Sequence, residues 1–313
     1  MSLENKSRHR NVFICSAGHS GSTLLDMILG SHSTAESLGE LINLPMDMAL
    51  NRGCACGSAM RDCSLWPEVM RRMRVDPARD PYALVLGHTL AKMGDARRTS
   101  RWHRILTRPK IAMKYFQLRY DVPFLGPLTS GFDLGMRNTL AVYDHVRTLT
   151  GKNVIVDSSK HYVRAVSLYL AEPEQTRVVV LVRDGRGVFY SGLKRGFGRD
   201  FSLRAWNNHY RRALELLERH VPEKHRKLVR YEDMVTGTGR AVAELCDFLG
   251  MDFEPSMLDF RAVTHHNVNG NDMKFASTSE LRLDETWKSM LDPGDREYFE
   301  VHAGALNQRL GYT

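Results

Sequence analysis

Small and hydroxyl-bearing residues are concentrated in one loop, residues 16–23 of the 313-residue chain, between an apolar strand and an apolar helix. Backbone N–H groups of such a loop, together with the N-terminus of the following helix, stabilise an anion. Glycines let the backbone approach closely, and hydroxyl and imidazole groups add donors. The residues predicted to bind a phosphate-bearing ligand are Gly18, His19, Ser20, Gly21, Ser22 and Thr23.

This loop departs from the pattern of ordinary nucleotide hydrolases. A P-loop of the GxxxxGK[ST] type needs a lysine that reaches the outer phosphates, and the sequence SAGHSGST has none. An ordinary ATPase or GTPase is therefore disfavoured. The alternative to a phosphate-binding loop is a tight turn in which Ser or Thr caps the following helix and no ligand is bound.

A second strand-to-helix junction occupies residues 178–194, VVVLVRDGRGVFYSGLK. Arg183 stands at the strand end, and Ser191 follows eight residues later, two turns into a helix that begins near Asp184. Arg183 could hold a phosphate in bidentate fashion while Ser191 donates its hydroxyl. The alternative is an ion pair between Arg183 and an acid such as Asp184, with Ser191 packed.

Short β-branched runs alternate with longer helical patterns, which predicts a parallel sheet flanked by helices. Strands are predicted at residues 11–15, 153–157, 177–182 and 227–231. Residues 41–150 have mostly helical spacing. We expect one domain over residues 1–313, with residues 41–150 as a helical insertion that caps the cleft and forms the acceptor side.

The formal net charge of +8 favours an anionic partner. The basic residues form no long run and no nucleic-acid-binding module is recognisable, so a small polyanion is preferred to nucleic acid. No stretch has the apolar length of a membrane span, and the N-terminus lacks a signal-peptide core. Five cysteines do not suggest a secreted disulfide framework. The sequence predicts a cytoplasmic protein.

The combined motifs resemble those of the PAPS-dependent sulfotransferases, especially their tyrosylprotein and bacterial branches. The segment SAGHSGSTLLDMIL is similar to their 5′-phosphosulfate loop, VRDGRGVFYS to their 3′-phosphate motif and RYEDM to a YED segment. The resemblance implies a P-loop-type central parallel sheet, PAPS as sulfuryl donor and a hydroxyl acceptor. It also implies that no metal is required.

Several site residues follow from this resemblance. Arg183 and Ser191 would bind the 3′-phosphate, and Tyr231 would contact the adenosine. The late segment, residues 266–274, with Trp287 and the terminal RLGY, is similar to the C-terminal pattern of bacterial members. Lys274 would face the cofactor phosphate, and a solvated loop lysine is the alternative.

The catalytic assignments also rest on the resemblance. Glu40, in SLGEL after a short predicted strand, would be the general base, with Glu36 as the rival. His19 stands where the family usually has Lys or Arg, so we expect leaving-group stabilisation to require its protonated form. Lys160, in VDSSK after the middle strand, could supply a permanent charge instead.

Three cysteines, Cys54, Cys56 and Cys63, lie close together in CACGSAMRDC. A tetrahedral zinc site needs four ligands, and no fourth is near in sequence, although His88 and Cys246 are candidates. Bacterial relatives have similar stretches, so a structural turn is the preferred interpretation.

The sequence thus predicts a sulfotransferase that moves a sulfuryl group from PAPS to a small-molecule or carbohydrate hydroxyl. The alternatives are a sulfotransferase-like protein that binds PAPS or its product without turnover, and a P-loop kinase. Neither the acceptor nor the oligomeric state can be predicted.

Overall fold

A five-stranded parallel sheet is the centre of the computed structural model, which describes residues 9–80, 83–86, 101–275, 279 and 281–313. The strands are β1 (Arg10–Ser16), β2 (Ala35–Ser37), β3 (Val154–Lys160), β4 (Thr176–Val182) and β5 (Arg226–Arg230). Their order is β2-β3-β1-β4-β5, and each neighbouring pair is parallel. The predicted sheet is confirmed, with strand ends shifted by a few residues.

Helices connect and flank these strands. The α-helices are α1 (Ser22–Gly30), α2 (Leu44–Leu50), α3 (Trp66–Met73), α4 (Arg101–Tyr120), α5 (Gly126–Thr150), α6 (Tyr162–Ala171), α7 (Gly185–Lys194), α8 (Arg199–His220), α9 (Tyr231–Thr236), α10 (Thr238–Leu249), α11 (Trp287–Met290) and α12 (Pro293–Arg309). Short 3-10 helices span Leu41–Asn43, Pro123–Leu125, Glu223–His225, Pro255–Leu258 and Asp272–Phe275. None of the described helices is long and apolar enough to cross a membrane.

Both faces of the sheet are buried, which explains why its strands are almost continuously apolar. On one face, Phe13 packs with Trp206 of α8 and other residues of α6, α7 and α12. On the other face, Ile14 packs with Leu25 of α1 and Leu245 of α10. Neighbouring side chains along β1 point to opposite faces of the sheet, so they belong to two different clusters of the core.

A third apolar cluster joins the helices of the 41–150 region to the edge of the sheet. Trp66 and Val69 of α3 pack against Val142 and Val146 of α5, and Ile155 of β3 belongs to the same cluster. The described part of this region is mostly helical and is fixed to the sheet next to β2 and β3.

The carboxyl ends of parallel strands meet at one edge of a sheet, and ligands bind there in open α/β folds. Each strand delivers a candidate residue to this edge. The phosphate loop follows β1, Glu40 follows β2, Lys160 ends β3, Arg183 follows β4 and Tyr231 follows β5. The topology therefore brings together residues that are far apart in sequence.

Candidate active site

The loop between β1 and α1 is curled by two residues with left-handed backbone conformations. His19 has φ of 63° and Gly21 has φ of 87°. Gly21 is also the N-cap of α1 and caps it without a side-chain hydrogen bond. Successive N–H groups in such a curl, with the positive end of the helix behind them, form a concave anion-binding surface.

The hydroxyl of Tyr210, in α8, is hydrogen-bonded to this loop. Its hydroxyl accepts a hydrogen bond from the Ala17 N–H (3.1 Å) and donates to the Leu181 carbonyl (2.7 Å). The Ser20 Oγ lies 3.2 Å from the same hydroxyl, whose single proton is already donated to Leu181. Ser20 is therefore the donor in that pair, and its buried side chain stabilises the loop instead of lining the cleft.

Tyr231 packs directly against the loop. A Cβ atom added at Gly21 would lie 2.4 Å from Cδ2 of Tyr231, so only glycine fits under this ring. The guanidinium carbon of Arg183 lies over the Tyr231 ring, 4.9 Å from its centroid. Arg183 also donates to the His19 carbonyl through Nη1 at 3.2 Å. The loop, Arg183 and Tyr231 form one contiguous surface.

Arg183 lies between the last residue of β4, Val182, and the N-cap of α7, Asp184. The side chain of Asp184 is the N-cap of this helix and accepts a hydrogen bond from the Arg186 N–H. Asp184 pairs with Arg186 at 2.7 Å, whereas the nearest carboxylate to Arg183 is Asp284, 3.7 Å from Nη2. Ser191 lies in α7 and lines the cleft together with Arg183. Both side chains thus face the same cleft, where Arg183 donates to the backbone carbonyls of His19 and Asp284.

Glu40 and Lys160 form an ion pair in the lining of the cleft, with 2.5 Å between Glu40 Oε1 and Lys160 Nζ. Asn43 donates to the other carboxylate oxygen at 3.1 Å. Lys160 has φ of 69°, an uncommon conformation for a non-glycine residue and one that is enriched at functional sites. Glu36, the rival base, is buried in β2, pairs with Lys152 at 3.0 Å and does not line the cleft.

His19 is surrounded by cations. Arg195 Nη1 lies 2.7 Å from His19 Nε2. Burial, followed by the charges of Arg195, Lys160 and Arg183, lowers the pKa of His19 below its ordinary value, against a smaller opposing effect of Glu40. The surroundings therefore favour a neutral imidazole, contrary to our expectation of a protonated one. Positive charge at this place comes from the neighbouring arginines and lysine.

The cleft between these groups has a volume of about 830 Å³, within the range of ligand pockets. The predicted residues that line it are Gly18, His19, Gly21, Ser22, Thr23, Glu40, Lys160, Arg183, Ser191 and Tyr231. Its charged lining side chains, among the described residues, are Lys160, Arg183, Arg195 and Arg282 against Glu40. This excess of positive charge suits a polyanionic ligand.

Lys274 is predicted to face the cofactor phosphate but does not line this cleft. Its ammonium donates to the carbonyl of Asn269 at 2.8 Å and to that of Gly53 at 3.3 Å, and the side chain is buried. The lysine instead fixes the segment that precedes it. It is not a solvated loop lysine either.

Several lining residues were missed by the sequence analysis. Arg195 follows α7, and the only local signal was the basic pair Lys194-Arg195 after the predicted phosphate motif. Residues 269–271 form a wall of the cleft, where the Asn271 N–H donates to the Thr23 hydroxyl at 3.2 Å. This wall is positioned by parallel pairing of Gly39 with Val268, a contact without a local sequence signal.

Residues 11–255 match the model of a protein family described as "Sulfotransferase family". Among solved structures, the sulfotransferase domain of the olefin synthase from Synechococcus PCC 7002 is similar, with a TM-score of 0.56, 18% identity and coverage of 97% of each chain. The sulfotransferase domain of the curacin biosynthetic pathway has a TM-score of 0.51 at 19% identity and covers 97% of this chain and 98% of its own. These likenesses establish the fold. No curated protein sequence matches.

Proposed function

This chain belongs to the sulfotransferase family, and from that premise we propose that it transfers the sulfuryl group of PAPS to a hydroxyl group of a small molecule or carbohydrate. The observation that carries the proposal is the meeting of two anion-binding surfaces and one carboxylate around a single cleft. The phosphate loop, the pair Arg183 and Ser191, and the carboxylate of Glu40 all line this cleft.

The residues present fit a nucleotide with phosphates at two positions. The curled loop and the start of α1 would hold the 5′-phosphosulfate. Arg183 and Ser191 would hold the 3′-phosphate through charge-assisted and hydroxyl hydrogen bonds. Tyr231, packed on Gly21 and beside Arg183, would contact the adenosine between the two. The cleft of about 830 Å³ has room for both nucleotide and acceptor.

Bound PAPS would supply an activated sulfuryl group and a phosphate leaving group. The chain's own residues would orient the reactants and balance charge, which supplies most of the catalysis in related group transfers. Glu40 would accept the proton of the acceptor hydroxyl. Lys160, 2.5 Å from Glu40, would place that carboxylate and, with Arg195, stabilise negative charge on the leaving oxygen.

The acceptor is proposed to enter from the side of the helical region that follows Glu40. The 3-10 helix Leu41–Asn43 and α2 begin directly after the carboxylate, so a hydroxyl positioned for proton transfer would lie beside them. Residues 41–150 would therefore form the acceptor side of the single domain.

Ligand-dependent thermal stabilisation tests the donor assignment without knowledge of the acceptor. Adenosine 3′,5′-bisphosphate should raise the melting temperature at concentrations where AMP and ATP have little effect. Equal responses to AMP would contradict the roles of Arg183 and Ser191. A selective response to ATP would favour the kinase alternative, for which the loop lacks the lysine.

A further inference from the structure

Cys54, Cys56, Cys63 and His266 converge outside the proposed donor site. Their four ligand atoms lie within 4.8 Å of one another, and Cys63 Sγ is 3.2 Å from His266 Nδ1. The fourth ligand is distant from the cysteines in sequence, because His266 is 203 residues from Cys63. Cys246 lies in a different core cluster beside Met257, and His88 lies outside the described residues.

A tight turn of the backbone contains the first two cysteines, Cys54 and Cys56, whose sulfur atoms lie within 4.8 Å of each other. The Cys54 N–H donates to the Ser58 carbonyl at 2.8 Å, and the Gly57 N–H donates to the Cys54 carbonyl at 3.0 Å. Gly57 has φ of 90°, which a side chain at this position would disfavour. The turn is closed by antiparallel pairing of Gly53 with Ala59. A backbone so constrained can present two thiolates to one ion.

The third cysteine receives a backbone hydrogen bond at its sulfur. The Leu65 N–H lies 3.5 Å from Cys63 Sγ, an arrangement that stabilises negative charge on the sulfur. Cys54 and Cys63 are both buried, while Cys56 and His266 are half-buried. The cluster is therefore largely enclosed by protein, as structural metal sites are.

His266 is delivered to the cysteines by its backbone. The Trp66 Nε1–H donates to the His266 carbonyl at 2.8 Å, and the Ala55 N–H donates to the Asn267 carbonyl at 3.4 Å. These two backbone contacts hold His266 beside the cysteines independently of the contact between its ring and Cys63. Such pre-positioning lowers the entropic cost of assembling a four-ligand site.

We propose that these four side chains bind one Zn²⁺ ion in a structural Cys₃His site. Three thiolates and one imidazole are a common set of ligands for tetrahedral zinc, with Zn–S distances of about 2.3 Å and Zn–N distances of about 2.0 Å. Such bond lengths place the ligand atoms about 3.5–4 Å apart, close to the spacing seen here. Four protein ligands leave no open position for substrate, so the role is structural.

The ion would connect the cysteine turn to a wall of the active-site cleft. His266 precedes residues 269–271, which line the cleft, and Lys274 bridges from Asn269 to the Gly53 carbonyl next to Cys54. Zinc would therefore hold the cleft wall against the start of the helical region. The metal site itself does not depend on the proposed sulfuryl transfer.

The test is the zinc content of the full chain purified under reducing conditions without added metal. We expect about one zinc per chain in the wild type and in Cys246→Ala, a matched control that removes a buried cysteine outside the cluster. In Cys63→Ser and His266→Ala the content should fall to less than about a tenth. Exchange of zinc for Co²⁺ should give thiolate charge-transfer absorption in the wild type and control.

Cys56→Ser covers the case in which Cys63→Ser does not fold, because Cys56 is half-exposed. A chelator should lower the melting temperature of the wild type and of Cys246→Ala, but not that of Cys56→Ser. The proposal is overturned if the reduced wild-type chain lacks zinc and takes up no Co²⁺. Equal zinc in the wild type, Cys56→Ser and His266→Ala, or a disulfide within the cluster of the protein as purified, overturns it equally.

Discussion

Glu40 Oε1 lies 2.5 Å from Lys160 Nζ. This ion pair connects the carboxyl ends of the neighbouring strands β2 and β3 at the candidate active site. The pair combines a proton acceptor with a fixed positive charge in one place. Glu36, the other acid considered from sequence, is engaged with Lys152 inside the sheet. The geometry thus favours Glu40 as the group that meets an acceptor hydroxyl.

Replacement of Glu40 by glutamine should abolish most turnover while donor binding is retained. Loss of a general base typically reduces the rate by about 10²–10⁴-fold. Turnover measured with saturating PAPS checks the first part, and the thermal shift with adenosine 3′,5′-bisphosphate checks the second. Glu36→Gln is the matched control for the choice between acids, and a larger loss of turnover in it than in Glu40→Gln would reverse the assignment.

Arg183→Ala should remove the discrimination between adenosine 3′,5′-bisphosphate and AMP. Hydrogen bonds to charged groups contribute roughly 1.5–3 kcal/mol, so affinity for the bisphosphate should fall about ten- to a hundredfold. AMP binding should change much less. Calorimetric titration measures both constants. Arg240→Ala, at an exposed arginine near Glu244, controls for loss of one positive charge. An equal loss for both nucleotides in Arg183→Ala would refute the 3′-phosphate role.

Gly21→Ala should destabilise the fold as well as the site. The new Cβ would lie 2.4 Å from Tyr231 at φ of 87°, so the ring or the loop must move, at a cost of about 1–3 kcal/mol. Gly18→Ala is the matched stability control because nothing lies within 4 Å of its added Cβ. Urea denaturation of both variants gives the comparison. Equal midpoints would show that Tyr231 does not constrain the loop.

His19→Ala should reduce turnover at least tenfold, about 1.4 kcal/mol, because the imidazole contacts Arg195 and belongs to the phosphate loop. The pKa of His19 is lowered below its ordinary value, so its ring is neutral at pH 7 and above. The wild-type turnover number should therefore show no His19-dependent decline from about pH 7 to pH 8.5.

A requirement for protonated His19 would instead lower the rate roughly tenfold per pH unit over that range. The comparison uses pH profiles of the wild type and His19→Gln, which cannot titrate. A decline present in the wild type and absent from His19→Gln would contradict the neutral imidazole.

The sheet could be predicted from sequence because its strands are buried on both faces and read as apolar β-branched runs. Residues that follow those strands could be predicted for the same reason, since parallel strands bring their ends together. Arg183, Glu40 and Lys160 lie at or just after strand ends and therefore share one edge of the sheet. The roles predicted for Glu40 and Lys160 rested on the family resemblance, not on this geometry.

Contacts between distant segments could not be predicted. Whether a loop hydroxyl faces the ligand depends on Tyr210, which lies 190 residues from Ser20. The approach of His266 to the cysteines and the engagement of Lys274 by backbone carbonyls depend on how the late segment packs beside β2. Periodicity and local motifs contain no information on such packing.

The most direct test of the proposed activity is transfer of radiolabelled sulfate from PAPS to a panel of hydroxyl-bearing small molecules and carbohydrates. The wild type is predicted to label at least one acceptor and to release an equal amount of adenosine 3′,5′-bisphosphate. Glu40→Gln is predicted to label that acceptor at a rate lower by about 10²-fold or more. A wild-type chain that binds PAPS tightly but transfers its label to no acceptor would contradict the proposal and identify a binding protein.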